Sequence, residues 1–277
     1  MAAFDRRFLP VLLLPTLFFS ILVAGCQSNR PSRSTATPEE RRREELFALV
    51  QPVKLANCEL QRFGEANDGG YLMCGNLLQN VRAGYSYGIS GYDKWGCDIS
   101  TTRTIEVHQY DCFNLTEPSC PAGRTVFHAE CVDGLTHTDE GRFFDTIRNQ
   151  FAKNGHAGQP IVMKIDVEGA EWDSFLLAPD AVFGQIDQMA VEFHGEGEQK
   201  HLEVVHRLKQ FFYIAHLHFN NAACVDNVKP FPTWAYEVLF VNQRLGVVDP
   251  NGRPDPIPHP LDALNNPSFK DCEPATS

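Results

Sequence analysis

The sequence contains no CxxC pair, no G-x-G-x-x-G turn and no cluster of Lys and Arg interleaved with aromatic residues. The first absence disfavours a structural zinc site. The second removes the fingerprint of a dinucleotide pyrophosphate. The third removes the electrostatic footprint of a nucleic-acid binder. A formal net charge of −11 agrees, because an acidic surface repels phosphate backbones. The one basic run, Arg41 to Arg43, is neutralised by Glu39, Glu40, Glu44 and Glu45. What is present is ordinary globular composition: 277 residues, 43% hydrophobic and 21% charged. That is enough for one large α/β domain whose core needs no staples.

Residues 1–26 read MAAFDRRFLPVLLLPTLFFSILVAGC. Arg6 and Arg7 precede an apolar stretch from Phe8 to Val23, interrupted by Pro10 and Pro15. Leu22 to Cys26 is similar to a bacterial lipobox, in which small residues precede a cysteine that is lipidated. Residues 1–25 therefore read as a signal peptide of lipoprotein type, with Cys26 as the lipidation site. Plain secretion and an uncleaved anchor are the alternatives, although the run is short for a span and carries two prolines. Acyl chains on Cys26 would hold the protein on a membrane surface, so the expected location is extracytoplasmic, membrane-anchored or along the secretory pathway. Residues 26–37 read as a flexible tether. Thr37 looks like an N-cap for a helix over 38–50, with Pro38 in its first turn.

Beyond Cys26 there are eight cysteines, an even number that fits disulfides in an oxidising compartment. Buried thiols are the alternative. Cys112 can pair with Cys120 or with Cys131. Asn114-Leu115-Thr116 is a glycosylation sequon.

The body, residues 38–245, alternates strand and helix patterns. Strands are predicted over 83–89, 105–110, 125–129, 161–167, 186–194, 212–219 and 234–242. Helices are predicted over 143–151, where Phe143, Phe144, Ile147 and Phe151 share a face, over 170–177, and around Leu202, Val205 and Leu208. The alternation indicates a doubly wound, mostly parallel α/β sheet, and the last two strands, with no helix between them, indicate an antiparallel C-terminal edge. Residues 246–277 are proline-rich and read as an irregular tail.

Ligands of such sheets bind at the carboxyl ends of the strands. Gly88-Ile89-Ser90-Gly91-Tyr92-Asp93 forms a glycine turn after the first strand, where backbone can approach a ligand. Asp111 closes the second strand, in the position that binds ribose hydroxyls in nucleoside-binding α/β folds. Lys164 and Asp166 share a face, with Asp166 at a strand tip. Glu192 and His194 share a face on the next strand, as do His216, His218 and Asn220 on a later one. Asp166, Glu192 and His194 are candidate ligands of a divalent metal, and His194 or His218 a candidate general base. Glu237, set among apolar residues, calls for one of these histidines as a partner.

KIDVEGAEW (164–172) is close to the motif of FkbM-type S-adenosylmethionine-dependent methyltransferases. DGGYLMC (68–74) and Tyr85 to Ser90 are similar to the methyltransferase-like, DGGY-containing branch of that family. The resemblance spans residues 60–242 or so. GISGYD stands where the commoner pattern is acidic-Gly-x-Gly. The resemblance implies a Rossmann-like methyltransferase fold and S-adenosylmethionine as cofactor. It places Gly88, Ser90, Gly91 and Asp93 at the methionine end, Asp111 at the ribose, Asp133 or Glu130 at the adenine, and Asp166 facing sulfonium and acceptor. The expected activity is O-methylation of a sugar or other small-molecule hydroxyl, so the expected partners are a small-molecule or glycan substrate and a membrane, not nucleic acid. Two rivals remain: a non-catalytic surface ligand-binding protein on the same scaffold, and a metal-dependent hydrolase using Asp166, Glu192 and His194.

Overall fold

The computed structural model describes residues 36–272. The segment expected to be a signal peptide, Cys26 as its expected lipidation site, and residues 26–35 of the expected tether lie outside the described residues. Among the described residues, no helix is long and apolar enough to cross a membrane.

Helix α1 (Pro38–Leu49) opens the body. Thr37 caps it, accepting from the Glu40 backbone N–H while the Glu40 carboxylate accepts from the Thr37 N–H. A hairpin follows, β1 (Leu60–Gly64) and β2 (Gly70–Cys74). Next come β3 (Ala83–Tyr87), α2 (Lys94–Arg103), β4 (Glu106–Tyr110) and β5 (Arg124–His128). A three-stranded sheet is made by β6 (Cys131–Val132), β7 (His137–Asp139) and β8 (Arg142–Asp145). The chain continues through α3 (Ile147–Lys153), β9 (Ile161–Ile165), α4 (Ala170–Leu177), α5 (Asp180–Gln185), β10 (Ile186–His194), α6 (Gln199–Leu208), β11 (Phe212–Phe219) and β12 (Ala235–Asn242).

The main sheet has seven strands in the order β11-β12-β10-β9-β3-β4-β5. Its β3–β4, β4–β5, β3–β9 and β9–β10 pairs are parallel, and β12 runs antiparallel to both β10 and β11. The chain steps outward from β3 to β5 and then returns to lay β9 on the other side of β3. The direction of winding therefore reverses between β3 and β9, and a crevice opens at the carboxyl ends of the strands at such a switch point.

Alternate side chains feed two cores. Tyr85 and Tyr87 of β3, Met163 and Ile165 of β9, and Val191 and Phe193 of β10 pack under α1 and α3 to α6. On the opposite face Val162, Ala190, Leu239 and Val241 pack under Trp95 and Ile99 of α2 and under Phe63, Tyr71 and Met73 of the hairpin. Every residue of β3, β9 and β12 is buried, as a sheet covered on both faces requires.

The expected antiparallel C-terminal edge is present: β11 and β12 pair antiparallel at one side of the sheet, with β11 outermost and β12 next to β10. Two expectations change. Phe143 and Phe144 lie on β8, not on a helix; Thr146 caps α3 there, so only Ile147 and Phe151 keep the helical face. The C-terminal segment is irregular but integral. His216 bonds Asp262 at 2.9 Å, the Asn221 amide donates to the carbonyls of Asn266 and Phe269, and Cys272 is joined to Cys224. The other disulfides are Cys58–Cys74, Cys97–Cys120 and Cys112–Cys131, so all eight cysteines beyond Cys26 are paired. That pairing fits an oxidising, extracytoplasmic environment.

Candidate functional site

A cavity of about 390 Å³ opens at the β3–β9 switch point, within the usual size of a small-molecule site. Its floor is the turn after β3. Gly88 has φ +70°, and a Cβ there would lie 1.6 Å from the Asp166 carbonyl oxygen, so only glycine lets the two strand ends meet. Ser90 (φ +48°) and Glu168 (φ +54°), on the two flanking loops, are non-glycine residues held in the left-handed region. Such strain persists where the surroundings over-determine it, and it concentrates at functional sites.

Asp111 lies in the wall, as its position at the end of β4 predicts. Its Oδ2 accepts from the Ser90 N–H at 2.8 Å, and its Oδ1 from the N–H groups of Phe113 and Asn114 at 2.8 and 2.9 Å. A carboxylate offers about four acceptor positions, so one remains on Oδ2, next to the glycine turn. Phe113, Val132 and Phe144 add an apolar section of wall.

Lys164 and Asp166 form the opposite wall. The Lys164 ammonium donates to the carbonyls of Tyr87 and Gly88 at 3.2 and 2.7 Å and to Asp166 Oδ2 at 3.4 Å. Lys94, the other cation of the lining, is paired with Asp98 at 2.6 Å, so the wall acids Asp68, Asp111 and Asp166 face a cleft whose two cations are already committed.

Beyond Asp166, parallel pairing sets Glu192 and His194 alongside it. One donor atom from each of Asp166, Glu192 and His194 lies within 4.8 Å of the others. Burial, followed by the charges of Asp166 and Glu237, pushes the Glu192 carboxyl well above its ordinary range. Burial pulls the His194 imidazole down, but Glu171 and the neighbouring acids outweigh it and the net shift is upward.

Asp93 lines the cleft as expected, and its carboxylate also accepts from the Gly96 N–H at 2.8 Å and the Gln109 amide at 2.9 Å, as the N-cap of α2. Other expected site residues lie outside the lining. Gly91 packs against Asn114, just outside the lining. Asp133 is turned away: it accepts from the Gly134 N–H and lies 3.7 Å from His137, while its neighbours Cys131 and Val132 line the cleft instead. Glu130 reaches Lys153 at 3.3 Å and does not line the cleft. His218 cannot act as a base in the cleft. It lies on the outermost strand, buried, with Nδ1 3.3 Å from Glu237.

The DGGY segment carries residues that strand-tip reasoning missed. Asp68 and Gly69 line the cleft. Tyr71 projects from the hairpin beneath it, and its hydroxyl donates towards Asp166 Oδ2 at 3.3 Å and Glu192 Oε2 at 3.4 Å. Its signal in the sequence is the Asp68-Gly69-Gly70 turn immediately before the apolar run Tyr71 to Met73. The phenol stays protonated, because burial and then the nearby carboxylates push it well above the ordinary tyrosine range. We expect Tyr71→Phe to cost about 2 kcal/mol, since the buried Glu192 and the half-buried Asp166 lose the donor they share. That corresponds to roughly 4–8 °C in melting temperature for a domain of this size. A shift below about 1 °C would show that the hydroxyl does not hold the acids.

Comparison with protein-family models, curated proteins and solved structures finds no match.

Proposed function

We propose that the protein is an S-adenosylmethionine-dependent methyltransferase acting on a hydroxyl of a sugar or other small molecule, on a Rossmann-like methyltransferase fold. The observation that carries the reading is the cleft at the β3–β9 switch point, with Asp111 on one wall and Asp166 on the other. The lining fits the cofactor in three respects. Its carboxylates outnumber its free cations, which suits a positive sulfonium. The apolar section of Phe113, Val132 and Phe144 suits a flat heteroaromatic ring. The open acceptor position on Asp111 suits one ribose hydroxyl.

When bound, this cofactor supplies a methyl carbon on sulfur, which an oxygen nucleophile takes as the carbon–sulfur bond breaks and its electron pair passes to sulfur. The chain's own contribution is to hold the reactants in line, which alone can lower a barrier by several kcal/mol (about 7–11 in well-oriented cases). Gly88 and Ser90 shape the floor, Asp111 the ribose wall, and Asp166 with His194 the acceptor side.

Calorimetry with the methyl donor and with its demethylated product tests the reading. Binding in the micromolar range is expected, as is usual for enzyme substrates. Asp111→Asn removes one acceptor and is expected to weaken binding about 10- to 100-fold, the worth of a hydrogen bond to a charged group. Asp133→Asn, outside the cleft, is expected to change it less than twofold. No heat with either compound would remove the assignment. A surface ligand-binding protein without turnover is the second reading, favoured by the four disulfides, which set the chain outside the compartment where the cofactor is made.

A further inference from the structure

Three atoms able to ligate a metal, Asp166 Oδ1, Glu192 Oε1 and His194 Nε2, converge beside the cleft. Asp166 divides its carboxylate: Oδ2 takes the Lys164 ammonium and the Tyr71 hydroxyl, while Oδ1 faces His194 Nε2 at 3.8 Å. Glu192 Oε1 lies 3.9 Å from the same nitrogen. The nitrogen makes no hydrogen bond to either, and the His194 side chain is only 8% exposed.

The ring is held in this orientation from behind. Glu171, fully buried, accepts from the His194 backbone N–H at 2.8 Å and stands 3.3 Å from Nδ1, while its other oxygen accepts from the Gly169 N–H at 2.9 Å. A carboxylate beside Nδ1 aims Nε2 at the two acids, the arrangement that orients metal-bound histidines. Trp172 fixes the backbone by donating its indole N–H to the His194 carbonyl at 2.7 Å. Glu192 is fixed by Asn220, which donates to Oε1 at 2.7 Å, and by Tyr71 on Oε2.

We propose that Asp166, Glu192 and His194 bind a divalent transition-metal ion, Mn²⁺ or Zn²⁺, at the acceptor end of the cleft. One imidazole and two carboxylates favour these ions over Mg²⁺ and Ca²⁺, which take oxygen ligands. With metal–ligand distances of about 2.1 Å, tetrahedral neighbours sit about 3.4 Å apart, so donors now up to 4.8 Å apart draw together by up to about 1.4 Å on binding. Three protein ligands leave positions open for exchangeable oxygen ligands, so the substrate class is a polyol or sugar offering adjacent hydroxyls. A coordinated hydroxyl loses its proton far more readily than a free one. Glu168, exposed and with Oε2 3.6 Å from His194 Nε2, is placed to carry that proton to solvent. This use of the ion rests on the methyl-transfer reading; the ion's binding does not.

The test uses the purified, disulfide-intact full chain, stripped with a chelator and titrated with Mn²⁺, with free and bound ion measured by electron paramagnetic resonance. One site is expected. His194→Gln and Glu192→Gln each weaken it at least tenfold, and Glu171→Gln by about 10- to 100-fold. His206→Gln, on the surface, leaves it unchanged. Pulsed resonance on the wild-type protein shows hyperfine coupling from one imidazole nitrogen, which needs no variant to fold. Absence of binding at millimolar Mn²⁺ and Zn²⁺, or bound Mn²⁺ without nitrogen coupling, overturns the proposal. Calorimetry of the methyl donor on the metal-stripped protein reads the other assignment separately: donor binding without a cation site, or the reverse, sinks one and leaves the other standing.

Discussion

Full reduction of the protein is expected to unfold it at 37 °C. The four disulfides span separations of 16, 19, 23 and 48 residues. Loop-closure entropy assigns about 3 kcal/mol to each of the three shorter loops and about 4 kcal/mol to the longest. Cys97–Cys120 and Cys112–Cys131 interlock, so the contributions are not independent, and a combined effect on the order of 10 kcal/mol is the reasonable figure. That equals the whole stability of a typical domain, about 5–15 kcal/mol. The consequence for the cleft is direct. Cys112 follows Asp111, and Cys131 lies in the lining, so their bond ties the end of β4 to the apolar wall. Cys224–Cys272 anchors the C-terminal segment over the edge of the sheet. Calorimetric melting with and without reductant checks the first expectation; a shift of less than about 5 °C would count against it. The double variant Cys224→Ser with Cys272→Ser is expected to lose about 4 kcal/mol, or roughly 8–16 °C.

The alternation of strands and helices was legible because β3, β9 and β10 are covered on both faces and must be apolar along their length. Asp111 and Asp166 were legible for a related reason: a polar residue ending such a run has only the cleft or the solvent to face. Less legible was chemistry decided by the groups each side chain meets, whether near or distant in sequence. Asp93 stands three residues before Gly96 and caps a helix, a local role that competes with ligand binding at every acid near a helix start. Asp133 could be placed only once β6 was seen to pair with β8 in a separate small sheet. The phenylalanines at 143 and 144 mimic a helical face with Ile147 and Phe151, and no sequence period marks the break at Thr146. Tyr71 acts across 95 and 121 residues of sequence, on Asp166 and Glu192, so its partners belong to the sheet and not to its own motif. Glu237 did need a histidine, and strand register chose His218, directly opposite on β11.

That pair closes a row of buried ionisable side chains. Lys164, Glu192, Glu237 and His218 lie on one face of four neighbouring strands, and Glu192 stands directly opposite Glu237. Like charges so placed destabilise a sheet unless other groups hold them. Asn220 and Tyr71 hold Glu192; His218 and the Asn265 amide, at 2.7 Å, hold Glu237. Burial works against a charged His218. The Glu237 carboxylate, helped by Asp262 and Asp271, overcomes it and pushes the imidazole up to about 9. A histidine whose folded value exceeds its unfolded value of about 6.5 stabilises fully below about pH 6.5 and loses that contribution as pH rises through 9. The contribution is about 3 kcal/mol at one logarithmic unit per 1.36 kcal/mol. The raised Glu192 carboxyl acts in the same direction, because the folded state keeps a proton that the unfolded state releases. On the acid side, burial and then His128 and His156 lower His108 to about 3, so stability rises as pH climbs from about 3 to 6.5. Measured in chelator, melting temperature is therefore expected to peak near pH 6.5 and to fall by roughly 6–12 °C by pH 9. Glu237→Gln strands a buried imidazole and is expected to cost about 3–5 kcal/mol at pH 6.5. It also removes the main force that raises His218, so the alkaline slope flattens towards that of Glu192 alone. A Glu237→Gln protein that is as stable as the wild type, or that keeps the full alkaline slope, would show that the pair carries neither the stability nor the pH dependence assigned to it.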